Sequence, residues 1–326
     1  MRGLSAQVER WPIDGAFTIA RGSKTEAVVV TVAITEDGVT GRGEGTPYPR
    51  YDETPDSVLA EIEAERGVIE SGAFRTGLQA VMRAGAARNA IDCALWDLRA
   101  KREGRRAYEI LGLERLEPLK TAYTLSLAAP EAMAEQARAN ARRPLLKLKI
   151  GGPGDLDRVQ AVREAAPRRR LIVDANEGLS FDDLKRLAPE FARLGVKLIE
   201  QPLKAGEDEA LEGYASPVPL CADESLHTRA ELDVCARRYQ VANIKLDKAG
   251  GLTEALALKA AARAAGMEIM VGCMVSTSLA MAPALIVAQG AEFVDLDGPL
   301  LLAKDRSPGL TYVGSMIEPP PAALWG

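Results

Sequence analysis

Between residues 145 and 245 the chain repeats one small pattern, a short apolar run that closes on a charged side chain. Leu145-Leu146-Lys147-Leu148-Lys149, Leu171-Ile172-Val173-Asp174, Leu198-Ile199-Glu200, Leu220-Cys221-Ala222-Asp223 and Asn243-Ile244-Lys245 follow one another at steps of about 22 to 26 residues, the length of one strand, one helix and their loops. Charge at the end of a buried strand is costly unless it has a partner or a task. Repeated at this period, it gathers ionisable groups on one rim of a parallel barrel, the rim where such barrels carry their sites.

The alternation runs on in both directions. Candidate strands fall near 120–127, 145–150, 171–174, 197–200, 219–222, 241–245, 268–271 and 292–295, with helical stretches near 130–142, 155–166, 180–194, 207–214, 228–238, 253–265 and 277–288. The Pro-rich tail after Asp295-Leu296-Asp297-Gly298-Pro299 offers no eighth amphipathic helix, so the expected fold is α/β, a (β/α)7β TIM-like barrel. Upstream the chain reads as an α+β unit. Ala27 to Ile34 is β-rich, a second strand ends at Gly41 to Gly45, and helices are expected over about 56–69 and 84–101. Ala90, Ala94, Leu95 and Leu98 keep helical spacing in the second helix, and Gly104 fits its end. The expected organisation is a capping domain at 1–117, the catalytic barrel at 118–302 and a tail at 303–326 that packs back on the capping domain. Gly41-Arg42-Gly43-Glu44-Gly45 lacks the spacing and the following helix of a dinucleotide loop, and reads as a turn.

Composition narrows the class. Apolar residues at 47% and charged residues at 27% describe a soluble globular protein with ample core. A net charge of −5 gives no reason to expect nucleic acid, and Arg168-Arg169-Arg170 reads as a solvated loop. Met1 to Trp11 lacks the apolar region of a signal peptide, and no stretch approaches membrane-spanning length. Cys93, Cys221, Cys235 and Cys273 are scattered without a Cys-x-x-Cys pair, which argues against zinc and disulfide frameworks and fits a cytoplasmic protein.

Asp174, Glu200 and Asp223 end consecutive strands, so their carboxylates should converge. Each alone could cap the helix that follows; three together would repel one another without a cation. Hard oxygen ligands without His or Cys select Mg²⁺, or Mn²⁺. Lys147 and Lys149, two apart on one strand, point to the same face. Lys245 ends the sixth strand, across the barrel from the second. Any single lysine is most simply a snorkelling surface residue. Placed opposite one another around a metal, two amines suit removal of a proton from a carbon beside a carboxylate and its return on the other face. Such a lysine needs a lowered pKa, which a cation, a second lysine and partial burial would each favour. The single histidine, His227, reads as structural or solvent-facing.

Lys147-Leu148-Lys149, Val173-Asp174-Ala175-Asn176, Ile199-Glu200-Gln201-Pro202, Ala222-Asp223-Glu224-Ser225 and Asn243-Ile244-Lys245-Leu246 resemble the muconate-lactonizing-enzyme subgroup of the enolase superfamily, and Ala86 to Asp92 is similar to a helix of that family's capping domain. Asp295-Leu296-Asp297-Gly298-Pro299 resembles the Asp-x-Asp signature of the dipeptide epimerases within it. The resemblance implies one Mg²⁺ per subunit on Asp174, Glu200 and Asp223, with Lys149 and Lys245 as the two bases and Lys147 assisting. It implies that Asp295 and Asp297 bind the α-amino group of an L-Ala-Glu-like dipeptide, inverted at its second residue in cell-wall (murein) peptide recycling. Arg21-Gly22-Ser23-Lys24 then lies over the barrel mouth with Lys24 toward the Glu carboxylate, and Thr124, Cys273 and Met274 are substrate contacts. Surface apolar segments of such barrels commonly support assembly, so a homo-oligomer is expected. The rival readings are an o-succinylbenzoate synthase or muconate cycloisomerase on the same scaffold, whose substrates carry no amine, and a non-catalytic binding protein.

Overall fold

A computed structural model describes residues 2–72, 75–152 and 154–326. The chain opens with an antiparallel sheet of β1 (Arg2–Ile19), β2 (Gly22–Glu36) and β3 (Val39–Gly45). Helices α1 (Pro55–Ala64), α2 (Arg66–Glu70), α3 (Arg75–Val81), α4 (Ala86–Glu103) and α5 (Ala107–Ile110) follow. The long β1 strand was not expected, because its charges and apolar residues mix; it pairs along β2 from Arg2↔Glu36 to Ile19↔Gly22, with an irregularity between Pro12 and Phe17. The expected single helix over 56–69 is broken at Glu65, between α1 and α2.

Gly41, Gly43 and Gly45 form part of strand β3 rather than a turn. At period two they share the face that meets α4. A Cβ on Gly43 would stand 2.1 Å from the Ala90 carbonyl oxygen, so helix and sheet approach to backbone contact. Helix α4 is buried nearly throughout, polar residues included, because it is also covered by the barrel. Arg88 donates to the Ala249 and Gly250 carbonyls, and Asp92 accepts from Thr253 N at 2.9 Å.

The eight-stranded sheet is parallel and ordered β5 (Tyr123–Leu125), β6 (Leu145–Lys149), β7 (Arg170–Asp174), β8 (Val196–Glu200), β9 (Leu220–Ala222), β10 (Val241–Ile244), β11 (Glu268–Gly272) and β12 (Phe293–Asp295). Ala122 N donates to Val294 O at 2.8 Å across the seam, so the ring nearly closes. A short strand, β4 (Leu119–Lys120), precedes it. Helices α6 (Pro130–Ala139), α7 (Asp155–Ala165), α8 (Phe181–Arg193), α9 (Leu232–Arg238), α10 (Leu246–Ala249), α11 (Leu252–Ala264) and α12 (Ser278–Ala288) lie between the strands. The helix expected over 207–214 is only a 3-10 turn at Glu209–Leu211, where Asp208 is tied to Tyr239, Ser225 and Arg238 instead. The tail forms β13 (Tyr312–Val313) and β14 (Met316–Ile317), which pairs with β4. Trp325 Nε1 then donates to Cys93 O on α4 at 3.0 Å.

Alternation along the strands builds the site. Ala122, Leu145, Ile172, Leu198, Cys221, Val241, Met270 and Phe293 form one buried cluster, one residue for each strand, which plugs the barrel. Two residues further on, the same inward face carries Thr124, Lys147, Asp174, Glu200, Asp223, Asn243, Gly272 and Asp295. The intervening residues, such as Leu146, Val173, Ile199 and Ile244, pack against the helices. Among the described residues no helix is long and apolar enough to cross a membrane, and the four cysteines are free thiols.

Candidate active site

Asp174, Glu200 and Asp223 are buried, each with a carboxylate oxygen within 4.8 Å of the others. Four lysines balance this charge. Lys147 Nζ stands 3.1 Å from Asp174, 2.7 Å from Glu200 and 2.7 Å from Asp295; Lys149 Nζ is 2.6 Å from Asp174. Lys245 Nζ and Lys248 Nζ lie 2.6 and 2.7 Å from the two oxygens of Asp223. Lys248 Nζ donates to the backbone carbonyl of Asp223, but its contact with Oδ1, like that of Lys147 with Glu200 Oε2, is not directed as a hydrogen bond, so Glu200 Oε2 and Asp223 Oδ1 keep lone pairs that no donor among the described residues addresses. Three convergent carboxylates with free coordinating capacity and no His or Cys fit a hard, oxygen-seeking dication.

The electrostatics differ from the sequence-based expectation in one respect. Burial lowers the pKa of Lys147, but Asp174, Asp295 and Glu200 outweigh it and hold the ammonium well above the ordinary lysine range. Lys245 is likewise raised, with burial opposed by Asp223 and Glu200. Neither lysine is lowered while carboxylates dominate its surroundings. Burial pushes Glu200 up, assisted by Asp174, whereas Lys147 and Lys149 pull Asp174 down against its own burial.

Strands β6 and β10 are the second and sixth of eight, so Lys149 and Lys245 approach from opposite walls. Both reach a cavity of about 830 Å³ bounded above by the β1–β2 hairpin. Lys24, Thr124, Lys147, Asp223, Cys273, Met274, Asp295 and Asp297 also line it, whereas Asp174 and Glu200 are fully buried and do not. The site residues expected from sequence are thus brought together. Thr124 presents its backbone N–H, which donates to Asp297 Oδ2 at 2.6 Å. Burial, then the neighbouring Asp295, drives the Asp297 carboxyl up to about 7. Asp295 Oδ1 is buried without a hydrogen-bond partner among the described residues. Lys24 is half-buried, with Nζ 5.8 Å from the Phe17 ring centre, and no carboxylate pairs with it among the described residues. His227 packs edge-on against Tyr51, and burial followed by Lys248 lowers it to about 4.

Several supporting residues escaped the sequence reading. Lys248, one helical turn after Lys245, is fully buried and donates to the Asn243 carbonyl at 3.0 Å besides pairing with Asp223. Gln201 has φ 33° and its amide oxygen accepts from the N–H groups of Asp223 and Ser225, fixing the strand end that aims Asp223. Asn176 and Glu177 also take positive φ, 45° and 69°, just past Asp174. Charge close to a strand end was the available signal for Lys248; Gln201 stands in the Ile199-Glu200-Gln201-Pro202 segment that carries the family resemblance, but that segment assigns it no role.

Two family models match the chain: the mandelate racemase/muconate lactonizing enzyme N-terminal domain over residues 1–112, and an enolase C-terminal domain-like model over residues 131–309. The L-Ala-D/L-Glu epimerase of Escherichia coli (strain K12) is 46% identical over 96% of this chain and 98% of its own. An N-acetyl-D-glutamate racemase from Pseudoalteromonas sp. is 45% identical over 91% and 95%. A solved enolase family member from Agrobacterium tumefaciens with homology to dipeptide epimerases, holding sodium and L-Ala-L-Glu with an ordered loop, is 53% identical and covers 100% of both chains with a TM-score of 0.98. A dipeptide epimerase from Enterococcus faecalis V583, complexed with Mg and L-Leu-L-Tyr, is 28% identical over 98% and 96% with a TM-score of 0.90.

Proposed function

We propose that this chain, which belongs to the mandelate racemase/muconate lactonizing enzyme family of the enolase superfamily, is a dipeptide epimerase that inverts the second residue of L-Ala-Glu-like substrates. The observation that carries this reading is the pairing of two opposed lysines with the Asp295–Asp297 carboxylates in one cavity. Asp174, Glu200 and Asp223 would hold a single Mg²⁺ per subunit (Mn²⁺ has the same ligand preference), which would supply positive charge beside the substrate carboxylate and offset the carboxylate field on the lysines.

The residues divide the work by position. Lys149 or Lys245, as the free amine, takes the proton from the α-carbon, and the C–H electron pair passes into the substrate carboxylate. The opposite lysine, as the ammonium, delivers a proton to the other face. Lys147 stays charged among its carboxylates and helps to hold the substrate carboxylate. Asp295 and Asp297 clamp the N-terminal ammonium, which satisfies Asp295 Oδ1 and keeps Asp297 ionised. Lys24 faces the Glu side chain, and Cys273 and Met274 line the wall beside it. A free dipeptide of this kind fits murein peptide recycling in the cytoplasm by a homo-oligomeric enzyme.

The test is solvent deuterium incorporation at the Glu α-carbon of L-Ala-L-Glu and L-Ala-D-Glu with Mg²⁺, read by mass spectrometry. Incorporation into both is expected; none with either dipeptide overturns the reading. N-acetylglutamate is the informative competitor, since it carries no ammonium and would leave Asp297 and the Oδ1 atom of Asp295 without the cationic partner that the dipeptide brings. Asp297→Asn should therefore lower kcat/KM for the dipeptide about a hundredfold, the scale of losing a buried charge-assisted contact. A cycloisomerase, or a racemase of N-acylated substrates, would not depend on that charge.

A further inference from the structure

Lys149 and Lys245 are held differently. Besides Asp223, the structure gives Lys245 Nζ no second acceptor among the described residues. Lys149 Nζ donates to Asp174 Oδ2 at 2.6 Å and to Asn176 Oδ1 at 3.1 Å. An amine whose two N–H bonds are both anchored has the direction of its lone pair fixed, and Lys149 lines the cavity. Asn176 is itself held from the far side. Its Nδ2 donates to Glu224 Oε1 at 3.3 Å, and its backbone carbonyl accepts from Arg21 Nη1 at 2.8 Å. Arg21 Nη2 donates to the same Glu224 oxygen at 2.7 Å.

Arg21 occupies the turn between β1 and β2, the hairpin that roofs the cavity. The hairpin is thereby connected to one base, through Arg21, Glu224 and Asn176, across 155 residues of sequence. Phe17 of the same hairpin adds a second contact, its ring centre 5.7 Å from Lys149 Nζ. Toward Lys245 the same Arg21–Glu224 pair connects only through the main chain, Glu224 being the neighbour of the Asp223 that accepts from Lys245 Nζ, with no side-chain hydrogen bond between them among the described residues.

We propose that Asn176 and Arg21 are positioning residues for Lys149, so that the seated hairpin aims one of the two bases through side-chain hydrogen bonds that the other base does not share. This rests on the two-base reading above. Each base exchanges the α-proton of one epimer with solvent even when inversion fails, so exchange measured on each epimer separately reports each lysine separately.

The experiment measures deuterium wash-in over a range of L-Ala-L-Glu and L-Ala-D-Glu concentrations up to saturation for the wild type, Lys149→Ala, Lys245→Ala, Asn176→Gly and Arg21→Met, with Mg²⁺ affinity by calorimetry. Glycine at 176 accepts the 45° φ without strain, so that variant removes the side chain alone. Asn176→Gly should lower exchange of one epimer about a hundredfold, the usual penalty for a misaimed group, while the other changes less than about twofold. The spared epimer should be the one spared by Lys149→Ala. Arg21→Met should show the same asymmetry in kcat on top of a rise in KM shared by both epimers. Equal loss for both epimers, or a fall in Mg²⁺ affinity that accounts for the loss, would make Asn176 a support of the carboxylate triad and overturn the proposal. A wild type that exchanges neither epimer would instead remove the two-base reading, and this inference with it.

Discussion

Lys24 is the cavity lysine without a carboxylate partner among the described residues, and that sets its titration. Burial, with Lys149 adding, lowers it to about 8, while Cys273 pulls weakly the other way. Below about 8 it is an ammonium ready for a Glu side chain. Above, the free enzyme must first take up a proton, so KM for L-Ala-Glu should climb about tenfold per pH unit. Lys24→Arg keeps the charge at every accessible pH and should flatten the KM profile between about pH 7 and 9. A profile unchanged by the substitution would remove Lys24 from substrate recognition. The contrast with Lys147 shows how surroundings decide a lysine's chemistry. Lys147 is the more deeply buried of the two, yet three carboxylates hold it charged. Sequence identifies each as a lysine at a strand end or in a loop; which neighbours reach its Nζ is settled by packing.

At the scale of elements, the Gly-x-Gly-x-Gly segment is the instructive case. Locally it looks like a turn, since glycine serves turns and close backbone approaches equally well. Its role depends on α4, about forty residues later, whose Ala86, Ala90 and Ala94 carbonyls sit where Cβ atoms would stand. Gly43→Ala should therefore force sheet and helix apart and cost about 1–3 kcal/mol, seen as a lower urea midpoint with an unchanged slope. The missing helix at 207–214 has the converse origin. Its residues have helical spacing, but Asp208 is committed to Tyr239 and Arg238, and Gly206 and Gly213 both adopt positive φ. Tertiary hydrogen bonds prevail over a weak local preference there.

Over the whole molecule, the carboxylate triad exists only when β7, β8 and β9 are aligned, so cation binding and folding are linked. Mg²⁺ at about a hundred times its dissociation constant should add about 2.7 kcal/mol to stability, read as a raised thermal midpoint. Asp223→Asn should abolish most of that shift. An equal shift in the variant would place the bound cation elsewhere. The same global alignment explains why the triad was legible beforehand and its supports were not. Asp174, Glu200 and Asp223 recur at the repeat of the barrel, whereas Gln201, Lys248 and Glu224 act through contacts that no repeat specifies.

The amino-acid sequence by itself determined the alternation of strand and helix, the inward face of every barrel strand, and hence which charges share the mouth. These follow from periods of two residues and of one strand-helix unit, which are local properties of the chain. Only the tertiary structure decided how those charges pair, how closely β3 lies on α4, and that the β1–β2 hairpin is fastened over the cavity. Each depends on groups far apart in the chain, such as Arg21 and Asn176, whose meeting depends on the packing of the whole protein.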